Sequence, residues 1–385
     1  MHLIRQAGGW SQRLLVMALC LASVSCVTQV PPPRTEPALA ETPQALPALK
    51  PASQAPAEAK APAVEIRIAA VGDIMLGGTA GPEMQKYGYD YPFELTQSFF
   101  KQAQIVFGNL EGPLTAGGAN ETPKQYVFRS PPDKVAPALA RAGFNIVSLA
   151  NNHSLDYGPQ GLEDTRAALE KAGIHAVGAG RNLAEARTPV YIVKDGVTVA
   201  FLAYSLTFPE EFWAGPDKPG TAFGHEQDVR ADVAAARQKA DIVVVSFHWG
   251  QEGKTELRDY QVQLAHAAID AGASAVLGHH PHILQAVERY QGGVILYSLG
   301  NFAFGSYSNT ATRSAMALLT FRDHQWSELR LLPINVRNAE VVFQPRPLSG
   351  RDAAEVVEKL QQLSQVRQTA LENRDGIAVL TAGNN

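Results

Sequence analysis

The chain has 385 residues, of which 45% are apolar and 18% charged, with a formal net charge of −4; this is the balance of a globule with a sizeable interior. No long basic run is present, so the clustered Lys/Arg footprint of a nucleic-acid-binding protein is missing, although a mildly acidic chain can still hold a basic pocket for an anionic substrate. Both cysteines, Cys20 and Cys26, fall within the first thirty residues, which removes disulfide staples and thiolate chemistry from the rest of the chain.

Arg5 and Arg13 precede the apolar stretch Leu14–Val24, followed by Ser25-Cys26. A basic start, a short apolar run and small residues make a secretory signal over residues 1–26. The run is shorter than the roughly 20 apolar residues that span a bilayer. Cys26 at its end resembles the lipidation site of a bacterial lipoprotein, with Ser23 where such sites usually carry Leu; ordinary cleavage beside an incidental cysteine is the plainer alternative. Residues 27–63 are dominated by Pro, Ala, Glu, Gln and Thr, too poor in bulky apolar groups to fold and kept extended by proline. They predict a tether holding a domain away from a membrane in the cell envelope or periplasm.

From Val64 the texture changes. Strands are predicted at 65–72, 105–108, 145–150, 242–247, 275–278 and 294–299, each a short apolar run bounded by turn or polar residues. A hairpin turns at Asp195-Gly196 between residues 190 and 202. Helical patterns occupy 132–142, 161–172, 229–240 and 255–271, and residues 314–342 return to alternating strands. The domain is expected to close near residue 345, with 346–385 forming a helix (352–368), which either closes the fold or packs outside it, and a tail. Alternating strands and helices around an antiparallel hairpin predict an α/β fold of two mixed sheets with helices outside.

Polar residues stand at the ends of these strand runs. They are Asp73; Asn109 and Glu111; Asn151, Asn152 and His153, with Asp156 beyond; His248 with Glu252; His279, His280 and His282; and Asn301. In open α/β sheets the carboxyl ends of the strands form the ligand crevice. Each residue has a plain reading alone: a Gly-Asp is commonly a turn or cap, and a single histidine is more often hydrogen-bonded than a ligand. Six strand ends with the same habit argue for convergence on one site. Carboxylate, amide oxygen and imidazole without thiolate suit one or two divalent ions such as Mn²⁺, Zn²⁺ or Fe²⁺. His175 and His266 carry no such pattern and are assigned to structure.

The ordered segments Ala70–Gly77, Gly108–Glu111, Asn151–His153, His248–Gly250, Gly278–His282 and Ser298–Phe302 resemble the signatures of the CapA family of poly-γ-glutamate capsule proteins, within the calcineurin-like metallophosphatase superfamily. That resemblance implies a four-layer α/β/β/α sandwich with a divalent-metal site at its rim. It implies Asp73 and His282 on one ion, Glu111 bridging or nearby, and Asn152, His248 and His280 on the second, with His153 as the general acid. Met75 stands where the superfamily has a histidine, and Gly-Asn-Leu-Glu replaces Gly-Asp-x-x-Asp; both departures bear on whether two ions are held.

The function so implied is an exported, membrane-anchored hydrolase or transferase of capsule polymer, working alongside membrane capsule-synthesis proteins. Its substrate would be an anionic polymer or a small phosphoester, contacted by Arg129, Glu252 and Asn301. A non-catalytic polymer-binding lipoprotein and a periplasmic phosphoesterase are the alternatives.

Overall fold

The computed structural model of the protein describes residues 64–120 and 122–383. The signal sequence, Cys26 and the Pro/Ala-rich segment lie outside the described residues. Two sheets form the centre. In the larger, the strand Glu65–Met75 runs parallel to Ile105–Leu110, which pairs in parallel with Ile146–Ser148 and then His175–Val177. On its other edge Glu65–Met75 pairs antiparallel with Arg313–Arg322, then at its end parallel with Asn301–Phe304. The smaller sheet runs Val287–Tyr290, Gly293–Leu296, Ala275–His279, Ile242–His248, Val197–Ser205 and Val190–Lys194.

Alternation along the strands sorts side chains into layers. Ile66, Ile68 and Ala70 face the second sheet, and Phe201, Val244 and Leu277 face back at them in one buried cluster. Phe107 stacks on Phe201 across the two sheets, centroids 5.8 Å apart. Ala69 and Val71 point the other way, onto Val135 and Leu139 of the helix Pro132–Ala142 and Leu162 and Leu169 of Gly158–Lys171. On the far side Leu202, Val243 and Val245 pack on Val229 and Val233 of Glu226–Arg237 and Leu264 of Asp259–Asp270. Helix, sheet, sheet, helix is the α/β arrangement the sequence predicts. No helix among the described residues is long and apolar enough to cross a membrane.

Several boundaries move. The predicted strand 294–299 leaves its ladder after Leu296, because residues 297–300 must cross to the other sheet to begin Asn301–Phe304. Alternating strands stop at Asn335, and a short helix, Asn338–Val341, follows. The larger correction concerns the end of the chain. The helix Gly350–Gln365 buries Val356, Val357 and Leu360 in the cluster between the sheets. Beyond it, Glu372–Arg374 and Ile377–Thr381 form a hairpin that extends the larger sheet through Gln325–Asn335. Residues 346–383 are therefore part of the domain rather than a tail, because the otherwise open edge of Gln325–Asn335 takes up their backbone hydrogen bonds.

Candidate metal centre

The parallel strands of both sheets end at one rim, and their last residues define the site. Asp73 sits near the end of Glu65–Met75, where pairing to both neighbours shifts register. Gly72 explains the shift: a Cβ there would lie 1.7 Å from the Gly300 carbonyl oxygen, so only glycine lets the two chains approach this closely. The Asp73 N–H donates to that same carbonyl at 3.1 Å. Gly278 plays the same part before the histidines, since its Cβ would meet the Tyr297 carbonyl at 1.9 Å. His280 and His282 then adopt left-handed backbone angles, φ 93° and 60°, a conformation costly for residues with side chains and concentrated at functional sites.

The predicted ligands converge. His282 Nδ1 lies 3.1 Å from Asp73 Oδ2, and its Nε2 lies 3.8 Å from Glu111 Oε1. His248 Nε2 is 2.7 Å from Asn152 Oδ1 and 3.6 Å from Glu111 Oε1. The His280 ring stands between, 4.7 Å from the His248 ring and 5.9 Å from that of His282. Two sets of donor atoms could each hold a cation: Asp73, Glu111 and His248, and Glu111, His280 and His282. Both use Glu111. The sets cut across the division that the resemblance implies, in which Asp73 goes with His282 and His280 with His248.

Asp73, Glu111 and His248 are essentially sealed from solvent, so their charge must be compensated within the cluster. Burial and the neighbouring Asp73 push the Glu111 carboxyl well above its usual range. Burial would do the same to Asp73, but His279 and His282 against it hold it well below the usual carboxylate range. Burial opposes a charge on His282, yet Glu111 and Asp73 push it up to about 10. Burial and His282 drive His280 down to about 3, and burial lowers His248. Without an ion the cluster thus holds its positive charge as a proton on His282. Glu111 Oε1 and His280 Nδ1 are buried without a hydrogen-bond partner among the described residues, and an orphaned buried acceptor costs about 1–3 kcal/mol. A divalent cation would satisfy both and replace the proton on His282. The donor set fits such an ion.

His153 lies beside this cluster on a small buried relay. Its Nδ1 is 2.7 Å from Asp156 Oδ2, while Lys124 Nζ is 2.5 Å from Asp156 Oδ1 and 3.0 Å from His153 Nδ1. Lys124 also donates to the Asn152 carbonyl, and the Phe128 N–H donates to Asp156 Oδ2 at 2.8 Å. With Nδ1 held by Asp156, Nε2 is the ring nitrogen left for the cleft. Burial lowers the His153 pKa against the opposing pull of Asp156, so the ring rests neutral near pH 7. Donating a proton to a leaving group requires that it first take one up.

A cleft of about 660 Å³ opens over His153 and His282. Glu252 and Asn301 both line it. Glu252 is exposed at its rim. Asn301 Oδ1 is 2.9 Å from His282 Nδ1, so Asn301 orients a candidate ligand as well as facing the cleft. Arg129 does not line the cleft. Its guanidinium lies 4.7 Å from the Tyr157 ring centroid, a face that holds a cation elsewhere. Met75 is buried and would meet a Cβ added at Gly78 or Gly112, so it packs under the loops instead of contributing a ligand.

Three further residues belong to the site. Asn109 donates to Asp73 Oδ1 at 2.8 Å and lies 3.3 Å from His248 Nδ1, so it orients ligands from both sheets; its strand-end position was the available signal. Asp156 stood at a strand end too. Lys124 lies in an irregular loop, and nothing in its surroundings in the sequence marks it.

Comparison with known proteins follows the same residues. The model of the family described as bacterial capsule synthesis protein PGA_cap matches residues 67–306. The capsule biosynthesis protein CapA of Bacillus anthracis is 34% identical over 286 residues, covering 73% of this chain and 69% of that one. The PGA biosynthesis protein CapA of Bacillus subtilis is 34% identical over 270 residues, 70% of this chain and 71% of that one. Among solved structures, a novel phosphatase from Mycoplasma pneumoniae aligns with 71% of this chain and 94% of that one at 14% identity and a TM-score of 0.46, a likeness that says nothing of activity.

Proposed function

The chain belongs to the bacterial capsule synthesis protein PGA_cap family, and from that premise we propose that it is an exported, membrane-tethered, metal-dependent hydrolase or transferase of poly-γ-glutamate or a related capsule polymer. The observation that carries the catalytic part is the cluster of Asp73, Glu111, His248, His280 and His282, buried except for His282 at the floor of the cleft, with Glu111 Oε1 and His280 Nδ1 left unpartnered. One or two divalent ions would be held there, by these five side chains and the Asn152 amide oxygen. Such an ion supplies Lewis acidity toward an acyl or phosphoryl oxygen when bound.

The rest of the step falls to the chain's own residues. Asp156 and Lys124 fix the His153 ring so that Nε2 faces the cleft. In hydrolysis Nε2 takes the proton of the attacking water as its oxygen bonds to the carbonyl carbon. It then returns that proton to the departing amine as the carbon–nitrogen bond breaks. A neutral resting imidazole suits that order. Transfer differs only in that an amine replaces water.

Hydrolysis of γ-glutamyl oligomers and of aryl phosphates, with Mn²⁺ supplied, compares the purified chain with its His153→Ala variant. Metal-dependent turnover of the oligomers, reduced about a hundredfold or more in the variant, is the expected result. Turnover confined to aryl phosphates would move the reading to a phosphoesterase. Equal metal-dependent rates in both proteins would remove His153 from the step, and no turnover of any substrate by either would leave a polymer-binding protein.

A further inference from the structure

One buried carboxylate belongs neither to the metal centre nor to the His153 relay. Glu288, in the strand Val287–Tyr290, is 4% exposed. Its Oε1 accepts from Arg367 Nη2 at 3.0 Å and lies 3.1 Å from His266 Nε2, and its Oε2 accepts from the Tyr297 hydroxyl at 2.7 Å. Burial opposes a charge on Glu288, but hydrogen bonds from Arg367, Tyr297 and His266 hold its carboxyl below the usual range. Burial and that carboxylate push Tyr297 up, so its hydroxyl stays a donor. The residues on either side of Glu288 are pinned as well. The Val287 N–H donates to Ser364 Oγ at 2.9 Å and the Arg289 N–H to Thr369 Oγ1 at 3.0 Å, where a further strand would otherwise pair. Apolar groups of the same shape stabilise a fold as well as a buried ion pair does, or better. What the pair adds is a fixed direction for the groups it holds.

Tyr297 is where that direction reaches the rim. It is wholly buried, its ring 5.9 Å from that of Trp249, and it begins the crossover between the sheets. Its carbonyl accepts from Trp249 Nε1 at 2.9 Å and is the atom that a Cβ on Gly278 would strike. Trp249 follows His248, and its own N–H donates to the His279 carbonyl at 3.1 Å. Farther along, the Leu299 N–H donates to the Gly278 carbonyl at 3.3 Å, and the Gly300 carbonyl receives the Asp73 N–H. Asn301 Oδ1 then meets His282 Nδ1. The crossover from Tyr297 to Asn301 thus braces Asp73, the strand end that carries His248, and the histidine segment.

The geometry points to Glu288 and Tyr297 as positioning residues for the metal centre. Arg367, just past the helix Gly350–Gln365, holds the Glu288 carboxylate; the carboxylate fixes the Tyr297 ring; and Tyr297 sets the crossover on which the ligands rest. The inference rests on the reading of these rim residues as metal ligands. Groups that orient ligands without touching the ion govern its affinity by about 10- to 100-fold.

Calorimetric titration of the chelator-treated full chain with Mn²⁺ tests it. Tyr297→Phe and Glu288→Leu should each raise the Mn²⁺ dissociation constant about tenfold or more, and the double variant should lose about as much as the larger single loss. Arg367→Met, at a partly exposed position, should shift it in the same direction and serves if the buried variants do not fold. Leu169→Ala, packed on the outer face of the other sheet, lowers stability through a cavity and should keep the parental constant. Parental affinity in the folded variants overturns the inference, as does equal weakening in Leu169→Ala. A second readout needs no metal. The indole N–H resonance of Trp249, assigned with Trp249→Phe, should move in Tyr297→Phe and Glu288→Leu and stay in place in Leu169→Ala. If the parent binds no Mn²⁺, the metal-ligand reading falls and this resonance decides the bracing: moved, it upholds it; unmoved, it overturns it.

Discussion

His282 Nδ1 stands 3.1 Å from Asp73 Oδ2 at the meeting of two sheets, joining a residue from the first strand of the domain to one more than two hundred positions later. The pair couples the site to pH. Burial opposes protonation of His282, but Glu111 and Asp73 outweigh it and hold its pKa at about 10. The ion-free protein therefore carries a proton on His282 at pH 7, and a cation must displace it. Metal affinity should rise with pH from about 6 toward 10, with proton uptake by the buffer on binding. Titration in two buffers of different ionisation enthalpy measures it; identical heats would show that no proton leaves.

The same pair sets a sign for the ion-free fold. The folded pKa lies above the ordinary 6.5. The stabilisation is therefore complete below about pH 6.5 and is lost as pH climbs through about 10. Chelator-treated protein should melt at a lower temperature at pH 10 than at pH 6. Metal-loaded protein should lose less over the same interval.

Glu111 belongs to both candidate cation sets and has an unpartnered buried oxygen. Glu111→Gln should abolish tight metal binding, seen as loss of bound metal by elemental analysis. In chelator the variant should be no less stable than the parent and up to about 2 kcal/mol more so, because a buried ionisable group has been removed. A metal content equal to the parent's would remove Glu111 from the site.

Asp156 and Lys124 form a nearly sealed ion pair, with side chains 0% and 11% exposed. Breaking one partner leaves an uncompensated charge, so Asp156→Asn should cost roughly 3 kcal/mol in urea unfolding. Adding Lys124→Met should recover part of that loss, because the orphaned cation is gone as well. A purely additive double-mutant cycle would show that the two do not interact.

Gly72→Ala places a methyl carbon 1.7 Å from a backbone carbonyl that cannot swing away. The strands must separate, at a cost of about 2 kcal/mol or more, and Asp73 moves with them. The free energy of unfolding and the metal content should both fall. Unchanged metal binding would mean that Asp73 does not depend on this close contact.

Much of this was legible in the sequence because it is local. Period-two apolar runs define the strands whichever partner they find, so Glu65–Met75, Ile242–His248 and the hairpin at Asp195-Gly196 stand where their residues place them. Parallel strands share one end, so polar residues just past Leu110, Ser148, Phe247 and Gly278 had to meet. What the sequence left open depends on which surfaces pack together. Lys124 carries no periodic signal and joins the site only because its loop folds over Asp156. Arg129, five residues on, turns to Tyr157 instead. The hairpin Glu372–Thr381 is short enough to pass for a tail until the edge of Gln325–Asn335 is available to pair with it. Residue type and spacing decided which groups could reach the rim; only the packing of the two sheets and their loops decided which ones do, because a contact between distant segments has no counterpart in local periodicity.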